Sequence, residues 1–470
     1  MNITIRDEQP EDIEGIEKLT RAAFLNAEHT SHTEQFIVNS LRKSGQLPIS
    51  LVAVEDDSII GHVAISPVSI STGTTGWYGL GPISVYPTKQ GLGIGSQLMQ
   101  ASLEKLKQLG ASYVKEGNRN VEFEGDKGFM YKANLCCRTA VKILKPIETF
   151  KVISEDDLYK KIYAIDWSQY LNETDTLAID GTVFSEIFTH SKYVALKTKD
   201  AIVDQFREKT GIRPNVDLDH PTLRINIHID QTNCTVSLDS SGDSLHKRGY
   251  REYTNIAPIN EILAAGLLLK SGWDGLSHFH DLMCGSGTML IEAAMIACNI
   301  PPNINREQFA FEKWKDWDVD LFEKIEESAL RKIRGFDYTI TGADESQSII
   351  LKAQENIENA NLAEFIKINR QDFFTSEKQV DGHLHMVFNP PYGERIEVNV
   401  PEFYGKIGDT LKQNYPGSEA WFITSNLEAM KFVGLRPSRK IKVYNGKLES
   451  KFLKYEVYEG TKKLHKLNDD

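Results

Sequence analysis

The chain has 470 residues, which exceeds the core of one ordinary domain and predicts three or more domains. Hydrophobic residues make up 40% and charged residues 26% of the sequence, a composition that excludes a disordered, collagenous or low-complexity protein. The net charge of −12 argues against a protein that coats nucleic acid without specificity. An enzyme that acts on RNA is not excluded, because it needs only one basic face.

Cysteine usage and the N-terminus predict a cytoplasmic protein. The five cysteines are odd in number and lack paired C-x-x-C spacing, so we expect reduced thiols and no metal site. The N-terminal residues are acidic and alternating, which is not typical of a signal peptide. The most apolar stretches, 262–269 and 289–297, are shorter than the roughly 20 residues that span a bilayer, so no membrane partner is expected.

The first 110 residues predict an α/β segment. The predicted order is strand 4–6, helix 13–24, strand 51–54, strand 59–65, extended segment 80–87 and, after a glycine-rich loop at 90–95, a second helix. The strands at 51–54 and 59–65 are predicted to form a hairpin across residues 56–58. Backbone N–H groups at the N-terminus of such a helix suit a pyrophosphate, because the helix dipole also favours negative charge there. A glycine loop alone is equally compatible with an ordinary turn.

The same segment resembles the GNAT acetyltransferases. The resemblance rests on residues 50–53, on Gly61-His-Val and on a match to that family's Q/R-x-x-G-x-G/A loop. It implies a GNAT-like domain over residues 1–110 whose acetyl-CoA loop contains Gln90, Gly91, Gly93 and Gly95. GNAT domains normally continue into a strand, a helix and an aromatic-rich segment, and no clear equivalent follows Gly110. We therefore expect an intact acetyl-CoA loop but an incomplete acyl-acceptor site.

Residues 111–250 predict a second module of strands and helices. The alternation from Thr222 to Asp230 predicts a strand with one buried and one wet face, whose core positions are Leu223, Ile225, Ile227 and Ile229. Residues 234–238 repeat the pattern, so a hairpin is expected. A helix is predicted from about Lys197 to Lys209, and it should stop at Gly211.

From residue 251 to 462 strands and helices alternate, which is typical of a doubly wound parallel sheet. After residues 420–425 we expect a helix and then two strands, 440–444 and 451–457, joined near Asn445-Gly446. A strand at His278–Asp281 leads into a glycine loop and a buried helix, an order suited to bind a methyl-donor nucleotide, S-adenosylmethionine, beyond the strand end. Asp344 is predicted to accept hydrogen bonds from ribose hydroxyls, and Asp372 to face the adenine amino group. The predicted contacts are Asp281, Cys284, Gly285, Ser286, Gly287, Thr288, Asp344 and Asp372.

A strand at 383–388 ends in Asn389-Pro-Pro-Tyr392, which we predict to be catalytic. An exocyclic amine on a base is a poor nucleophile because its lone pair is delocalised, so the amine must be oriented toward the methyl donor. The Asn389 side-chain oxygen and the Pro390 carbonyl can each accept one N–H, Pro390 and Pro391 stiffen the backbone, and Tyr392 can stack on the base. The same chemistry serves adenine-N6 and glutamine methylation, so the loop predicts a planar amine without identifying it.

From about residue 113 the chain resembles bacterial ribosomal RNA (guanine-N2)-methyltransferases of the THUMP-domain type. Four separated stretches carry the resemblance in order, together with the Asn-Pro-Pro-Tyr-Gly-Glu-Arg extension: 154–159, 164–167, 196–204 and 241–251. It implies a ferredoxin-like plus THUMP RNA-binding module at 111–250 and a Rossmann-like class I methyltransferase domain at 251–462. The partner it implies is large-subunit ribosomal RNA, either as a precursor or as naked 23S RNA.

The resemblance also assigns roles to individual side chains. It places phosphate contacts of the RNA-binding module at Lys197, Lys199, Arg224 and Arg248, although the same residues suit an ordinary solvated surface. It makes Cys284 a small residue in a tight loop and not a nucleophile. No metal is required for this chemistry.

The leading hypothesis is an S-adenosylmethionine-dependent enzyme that methylates the N2 of one guanine in 23S ribosomal RNA. One alternative is a GNAT-type acetyltransferase, or a bifunctional enzyme, which is docked on RNA by its C-terminal half. A second alternative is an adenine-N6 methyltransferase of nucleic acids, and a third is that the GNAT-like segment is inactive.

Overall fold

A computed structural model describes residues 3–25, 33–56, 58–67, 78–90, 92–108, 114–116, 120–251, 259–392 and 398–458 of the chain. The chain forms two compact units, residues 1–126 and 127–470. Gly91 of the predicted acetyl-CoA loop lies outside the described residues.

The first unit contains an antiparallel sheet in the order β1-β2-β3-β4 and a separate two-stranded sheet of β5 and β6. The predicted hairpin is therefore confirmed. The elements are β1 (Thr4–Asp7), α1 (Ile13–Phe24), α2 (Glu34–Lys43), β2 (Ile49–Glu55), β3 (Ser58–Pro67), β4 (Tyr78–Val85), α3 (Ile94–Gln108), β5 (Val114–Glu116) and β6 (Val121–Phe123).

Helices cover both faces of the first unit's four-stranded sheet. Leu51 packs in one cluster with Leu98 of α3, whereas Val52 packs in another with Ile16 of α1. Neighbouring residues of β2 thus face opposite helices, as the two-residue period of a strand requires.

The first sheet of the second unit has the order β7-β11-β10-β8-β9, with β8 parallel to β10 and the pairs β10–β11 and β11–β7 antiparallel. Helices α5 and α6 pack against each other. The elements are α4 (Lys127–Cys136), β7 (Leu144–Lys151), α5 (Glu155–Ala164), β8 (Thr176–Phe184), α6 (Ser191–Thr210), β9 (Asn215–Val216), β10 (Leu223–Asp230) and β11 (Asn233–Asp239).

Two predictions for this module can be compared with the structure. The four predicted core positions of β10 are each no more than 1% exposed, so the alternation is confirmed. Helix α6 ends at Gly211 as predicted, with φ 77°, but it starts at Ser191, earlier than predicted. The extra turn forms because Val194, which is buried, extends the apolar stripe that continues through Ala201.

The second sheet of this unit has seven strands in the order β14-β13-β12-β15-β16-β18-β17. The first five strands are mutually parallel and β18 runs antiparallel to β16, so the predicted doubly wound sheet is confirmed. The elements are α7 (Glu261–Ser271), β12 (His278–Asp281), α8 (Thr288–Ala297), α9 (Val319–Leu330), β13 (Ile340–Asp344), α10 (Gln347–Asn359), β14 (Ile366–Arg370), β15 (Leu384–Phe388), α11 (Val400–Asn414), β16 (Ser418–Thr424), β17 (Arg439–Asn445) and β18 (Leu448–Val457).

Both faces of the seven-stranded sheet are buried. Val387 packs in the cluster that contains α8, whereas Phe388 packs in the cluster that contains Tyr404 and Leu411 of α11. A helix had been expected after β16, but the structure has only a short 3-10 turn at Ala429–Lys431. Gly434, with φ 64°, and Pro437 follow that turn and do not favour a longer helix.

Candidate active site

The predicted donor and acceptor residues lie along one edge of the seven-stranded sheet. Asp281 ends β12 and Asp344 ends β13, while Asp372 follows β14 and Asn389 follows β15. These four strands are neighbours and parallel, so their carboxyl ends share one edge. The chain leaves β14 and returns on the other side of β12 to form β15, and ligands bind at such a reversal of strand order.

The loop after β12 is held by its own acidic residues. The Met283 N–H donates to Asp281 Oδ1 at 3.1 Å, and the Gly285 N–H donates to Asp344 Oδ2 at 3.3 Å. Asp281 is 2% exposed. The two carboxylates therefore fix the path of the loop between the ends of β12 and β13.

Helix α8 begins directly at this loop. Gly287 precedes the helix with φ 84°, a left-handed conformation that an L side chain would strain. Thr288, the first helical residue, is buried, and the carbonyl of Ser286 accepts a hydrogen bond from Asn356 Nδ2 of α10 at 3.0 Å. The first N–H groups of α8, which have no hydrogen-bond partner within the helix, therefore lie at the end of this loop.

The packing of α8 on the sheet depends on one glycine. A Cβ atom on Gly342 of β13 would lie 2.3 Å from Leu290 Cδ1 of α8. Real Cβ atoms do not approach a neighbour so closely, so a side chain at position 342 would force the buried Leu290 side chain, or α8 with it, to shift.

Burial dominates the electrostatics of the loop. It raises the pKa of Asp281 to about 8, with a further contribution from the charge of Asp344. The pKa of Asp344 is also raised by burial. Burial holds the pKa of the Cys284 thiol well above its ordinary value, so this side chain stays neutral and is a poor nucleophile.

Asp372 occupies the tip of the next strand in a different environment. It is exposed, and its Oδ1 accepts a hydrogen bond from the Phe374 N–H at 2.9 Å, which caps a short 3-10 turn. One of its oxygens therefore serves the local fold, and the carboxylate stays accessible at the edge of the sheet.

The acceptor loop is ordered by tyrosine and asparagine side chains. The Tyr392 hydroxyl donates to Asn389 Oδ1 within the motif. The Tyr404 hydroxyl donates to the Pro391 carbonyl at 3.1 Å, and Asn426 Nδ2 donates to the Tyr392 carbonyl at 3.3 Å. Pro390 is buried. The loop is thus tied both to α11 and to the segment after β16.

Sequence reasoning missed Tyr404, Asn426 and Asn356. Tyr404 and Asn356 are polar side chains at inward positions of amphipathic helices, which is the one signal that could have revealed them. Asn426 lies in a loop and carries no such signal. Their partners lie in the loops after β12 and β15, so their roles depend on the tertiary fold.

Arg248 lies in the interior and not on the RNA-facing surface that we had predicted for it. Its side chain is 0% exposed and its Nε lies 3.2 Å from Glu292 Oε1 of α8, which is also 0% exposed. It also donates to the carbonyls of Leu245 at 2.9 Å and Arg138 at 2.6 Å. A guanidinium so enclosed cannot reach a phosphate, and this position argues against the predicted contact.

The other three predicted RNA contacts are on the surface but have acidic partners. Each cation forms one ion pair: Lys197 with Asp156 at 3.2 Å, Lys199 with Asp200 at 2.6 Å and Arg224 with Asp180 at 3.3 Å. A phosphate would have to compete with these carboxylates.

Arg251 links the start of the methyltransferase fold to the donor loop. Its Nη2 donates to Thr288 Oγ1 at 2.5 Å, and its Nε lies 2.8 Å from Glu261 Oε1. The sequence showed Arg251 only as the last residue of a resembling stretch. The contact identifies it as a residue that positions the N-terminus of α8.

In the first unit, the predicted acetyl-CoA loop precedes α3. Gly93 has φ 77°, and Gly95 lies in the first turn of the helix. Gln90 Nε2 donates to the Val85 carbonyl at 3.1 Å, which joins the loop to the end of β4. The loop is therefore placed at a helix N-terminus, as the sequence had indicated.

A partly buried polar cluster in the first unit, with His62 at its buried end, was not predicted. Glu8 accepts hydrogen bonds from Arg42 Nε at 2.6 Å and Nη2 at 2.9 Å, and His62 Nε2 lies 2.9 Å from Ser50 Oγ. Burial lowers the pKa of His62 to about 4, so the ring is neutral at neutral pH. The cluster joins the chain after β1 to α2, β2 and β3.

Among the residues that the structure describes, no helix combines the length and the apolarity needed to cross a membrane. The same residues contain no group of three or more His, Cys, Asp or Glu side chains arranged to hold a metal ion.

Three family models match the chain. An acetyltransferase (GNAT) domain matches residues 4–128, a THUMP domain matches 152–239, and an RMKL-like methyltransferase domain matches 248–454. The α/β multidomain fold inferred from the sequence is thereby confirmed, with GNAT, THUMP and methyltransferase parts.

Relatives and solved structures extend the methyltransferase match. The Synechocystis protein named "Putative RNA methyltransferase slr0064" is 38% identical over 76% of this chain and 93% of its own length. Ribosomal RNA large subunit methyltransferase K/L of Syntrophotalea carbinolica is 36% identical over 76% of this chain, which spans about half (52%) of that longer protein. The crystal structure of SMU.472 in complex with SAH is 28% identical, with a TM-score of 0.66 over 77% of this chain and 96% of its own. The chain therefore belongs to the RMKL-like, THUMP-containing family of S-adenosylmethionine-dependent RNA methyltransferases.

Proposed function

We propose that this protein transfers the methyl group of S-adenosylmethionine to the exocyclic N2 of a guanine in 23S ribosomal RNA. The observation that carries the proposal is the position of the Asp281 loop and the Asn389 loop at the carboxyl ends of β12 and β15, which are paired and parallel. Adjacent strands lie about 4.8 Å apart, so a donor at one tip and an acceptor at the other are within reach.

The chemistry of the donor side fits S-adenosylmethionine. Asp281 and Asp344 supply carboxylates for cationic groups and ribose hydroxyls, and the N-terminus of α8 offers N–H groups to a carboxylate. The loop itself is formed by Cys284, Gly285, Ser286, Gly287 and Thr288. Asp372 stands at the next strand tip, where its second oxygen can accept from the adenine amino group. When bound, S-adenosylmethionine supplies a methyl group activated by its sulfonium.

The acceptor side is suited to hold a planar amine. Asn389 Oδ1 has two lone pairs, so it can accept one hydrogen bond from Tyr392 and one from the amine, while the Pro390 carbonyl accepts the second N–H. Two acceptors turn the nitrogen lone pair toward the methyl donor. Pro391 is held by Tyr404, which keeps the loop rigid, and orientation of this kind lowers the barrier of a two-substrate reaction.

We assign the acceptor to guanine because Asn-Pro-Pro-Tyr-Gly-Glu-Arg resembles the motif of the (guanine-N2)-methyltransferases. We assign the substrate to 23S RNA because the family match includes a THUMP domain and because curated relatives are named as large-subunit ribosomal RNA methyltransferases. In this proposal residues 111–250 bind RNA, with Lys197, Lys199 and Arg224 as phosphate contacts, and residues 251–462 carry out the reaction. A target guanine inside folded RNA would rotate out of its stack to reach Asn389.

Nucleoside mass spectrometry of 23S RNA tests the proposal. RNA from cells that lack the protein should lose one N2-methylguanosine, which wild-type protein restores and Asn389→Ala does not. Asn369→Ala is the matched control, because this asparagine is exposed on β14, and it should restore the modification. Loss of N6-methyladenosine in place of N2-methylguanosine would contradict the guanine assignment and favour the adenine alternative.

A second candidate activity belongs to the first unit. We propose that it binds acetyl-CoA at Gln90, Gly91, Gly93 and Gly95, because Gly93 has a left-handed conformation directly before α3 and a GNAT model matches residues 4–128. Isothermal titration of the full chain with acetyl-CoA should show binding that Gly93→Val abolishes. Failure of the wild-type chain to bind acetyl-CoA would instead indicate an inactive segment, and equal binding by wild type and variant would contradict the assignment to the Gly93 loop.

A further inference from the structure

A short segment near the C-terminus is strongly basic, although the chain as a whole is acidic. Residues 431–454 contain eight Lys or Arg residues and one Glu, a net charge of +7, whereas the whole chain carries −12. The segment includes β17 and most of β18, which form a hairpin at the edge of the seven-stranded sheet. A local charge of this sign and density is the electrostatic signature of a surface for polyanions.

The hairpin concentrates part of this charge on one face. Lys442 of β17 pairs directly with Lys451 of β18, and Lys440 is the next residue on the same face. Ile441 and Val443 alternate with these lysines and pack on the core. Like charges directly opposite each other in an antiparallel pair destabilise it, so the arrangement is costly for the isolated fold.

The cations of this segment are poorly neutralised. Lys442 pairs with Glu449 at 2.8 Å, and Lys454 pairs with Glu419 at 2.8 Å. Five cations have no carboxylate within 4.0 Å among the residues that the structure describes: Arg436, Arg439, Lys440, Lys447 and Lys451. The surface lysines and the arginine predicted as RNA contacts in the THUMP module each have such a partner. The hairpin therefore has more uncompensated positive charge than that predicted site.

The hairpin lies on the same edge of the sheet as the acceptor loop. Lys451 pairs with Thr424, the last residue of β16, and the hairpin continues beyond this point to its turn at Asn445–Leu448. Three further residue pairs project about 10 Å past the end of β16. In the sheet, β17 is the third strand from β15, a distance of about 15 Å. The hairpin is therefore separated from Asn389 by the length of a few nucleotides.

An aromatic ring completes this surface. Tyr444 is 56% exposed on the face that carries Lys440 and Lys442, and Lys442 Nζ lies 5.4 Å from the centre of its ring. Surfaces that bind single-stranded nucleic acid combine cations for the backbone with aromatic rings for bases. A partner protein that is merely acidic would not require the exposed ring.

We propose that the hairpin surface formed by Lys440, Lys442, Tyr444, Lys447 and Lys451 binds the sugar-phosphate backbone of the RNA substrate beside the methylated nucleotide. The inference rests on the proposed function, because it names where the substrate of that same site is held. Phosphate contacts of this kind position the RNA without reading its sequence. The hairpin then fixes the RNA strand near the acceptor loop, while the THUMP module holds a more distant part of the RNA.

The test replaces three of these five cations in the full chain. The variant Lys440→Gln/Lys447→Gln/Lys451→Gln should bind naked 23S RNA at least tenfold more weakly than wild type at low salt. Each lost phosphate contact should also reduce the slope of log K against log[salt] by about 0.7–0.9, so three contacts reduce it by about 2–3. A purely structural role of the lysines would not change this slope.

The matched control is Lys270→Gln/Lys324→Gln/Lys367→Gln, which removes the same charge at exposed positions of the same unit. If both triple variants show the same affinity and salt slope, the hairpin proposal is wrong. If the hairpin variant retains naked-RNA binding but loses binding to ribosomal protein, the assignment to RNA is also wrong. If wild type shows the hairpin-dependent slope but methylates no guanine, the proposed function fails and the RNA surface stands.

Discussion

Arg248 and Glu292 form an ion pair in which neither side chain is exposed to solvent, with Nε and Oε1 3.2 Å apart. Arg248 lies before α7, and Glu292 lies on α8, one turn after Thr288. The pair therefore anchors the helix that follows the donor loop to the chain that enters this part of the protein. Each of these buried charges is stabilised by the other, because removing one would leave the other buried without a counter-charge.

Arg248→Met should destabilise the second unit by about 3–5 kcal/mol, since it leaves Glu292 buried without its main partner. The double variant Arg248→Met/Glu292→Leu should recover most of this loss. Tryptophan fluorescence during urea unfolding measures the effect, because five of the six tryptophans lie in residues 127–470.

The exposed pair Arg331–Glu327 is the control for that experiment. Arg331→Met should change stability by less than about 0.5 kcal/mol, because solvent screens a surface pair. Equal losses for Arg331→Met and Arg248→Met would show that the buried pair has no special role.

Asp281 should make the affinity for S-adenosylmethionine depend on pH. Burial raises the pKa of Asp281 to about 8, so the carboxyl is protonated below that pH in the free protein. A bound cation favours the ionised carboxylate and lowers this pKa, so binding releases a proton. The Kd should therefore fall as pH rises from 6 toward 8, by up to about tenfold per unit, and then level off.

Isothermal titration in buffers of different ionisation heat measures this proton release at pH 6.5 and pH 9. Release should be present at the lower pH and absent at the higher. Asp281→Asn should weaken binding and remove the pH dependence. A pH dependence that persists in Asp281→Asn would assign it to another group.

Tyr404→Phe should lower kcat about 5–15-fold and leave the KM for S-adenosylmethionine unchanged. The variant removes only the hydroxyl, which donates to the Pro391 carbonyl and also lies 3.0 Å from Thr424 Oγ1. A hydrogen bond of this kind is worth about 1–1.5 kcal/mol. Tyr415→Phe is the matched control, because its buried hydroxyl bonds Ser376 and not the acceptor loop. If both variants lower kcat equally, the effect is one of stability and not of loop position.

Gly342→Ala should destabilise the second unit by about 1–3 kcal/mol and weaken S-adenosylmethionine binding, because the new Cβ would overlap Leu290 of α8. Adding Leu290→Ala removes the overlapping atoms, so the two changes together should cost less than their sum. Gly335→Ala is the control, since nothing lies within 4 Å of its Cβ position. Strict additivity of Gly342→Ala and Leu290→Ala in urea unfolding would contradict the overlap.

Local sequence patterns predicted most of the secondary structure. The alternation of β10 and the turn at Asn445–Gly446 are short-range features, because a strand's two faces and a tight turn are properties of neighbouring residues. The extra turn of α6 and the short 3-10 turn in place of a helix after β16 were missed. The length of α6 depended on the packing of Val194, and the short 3-10 turn depended on Gly434 and Pro437, which follow it and do not favour a longer helix.

By itself the sequence determined the class of fold, the order of its parts and the two loops of the candidate site, because each is encoded in residues that follow one another. Only the tertiary structure decided which side chains support those loops. Arg248 was predicted to be a surface cation, but the fold encloses it against Glu292. Tyr404 has its role because its hydroxyl donates to the carbonyl of Pro391, 13 residues earlier. Burial and contact between distant segments depend on how strands pair and helices pack, and no local pattern contains that information.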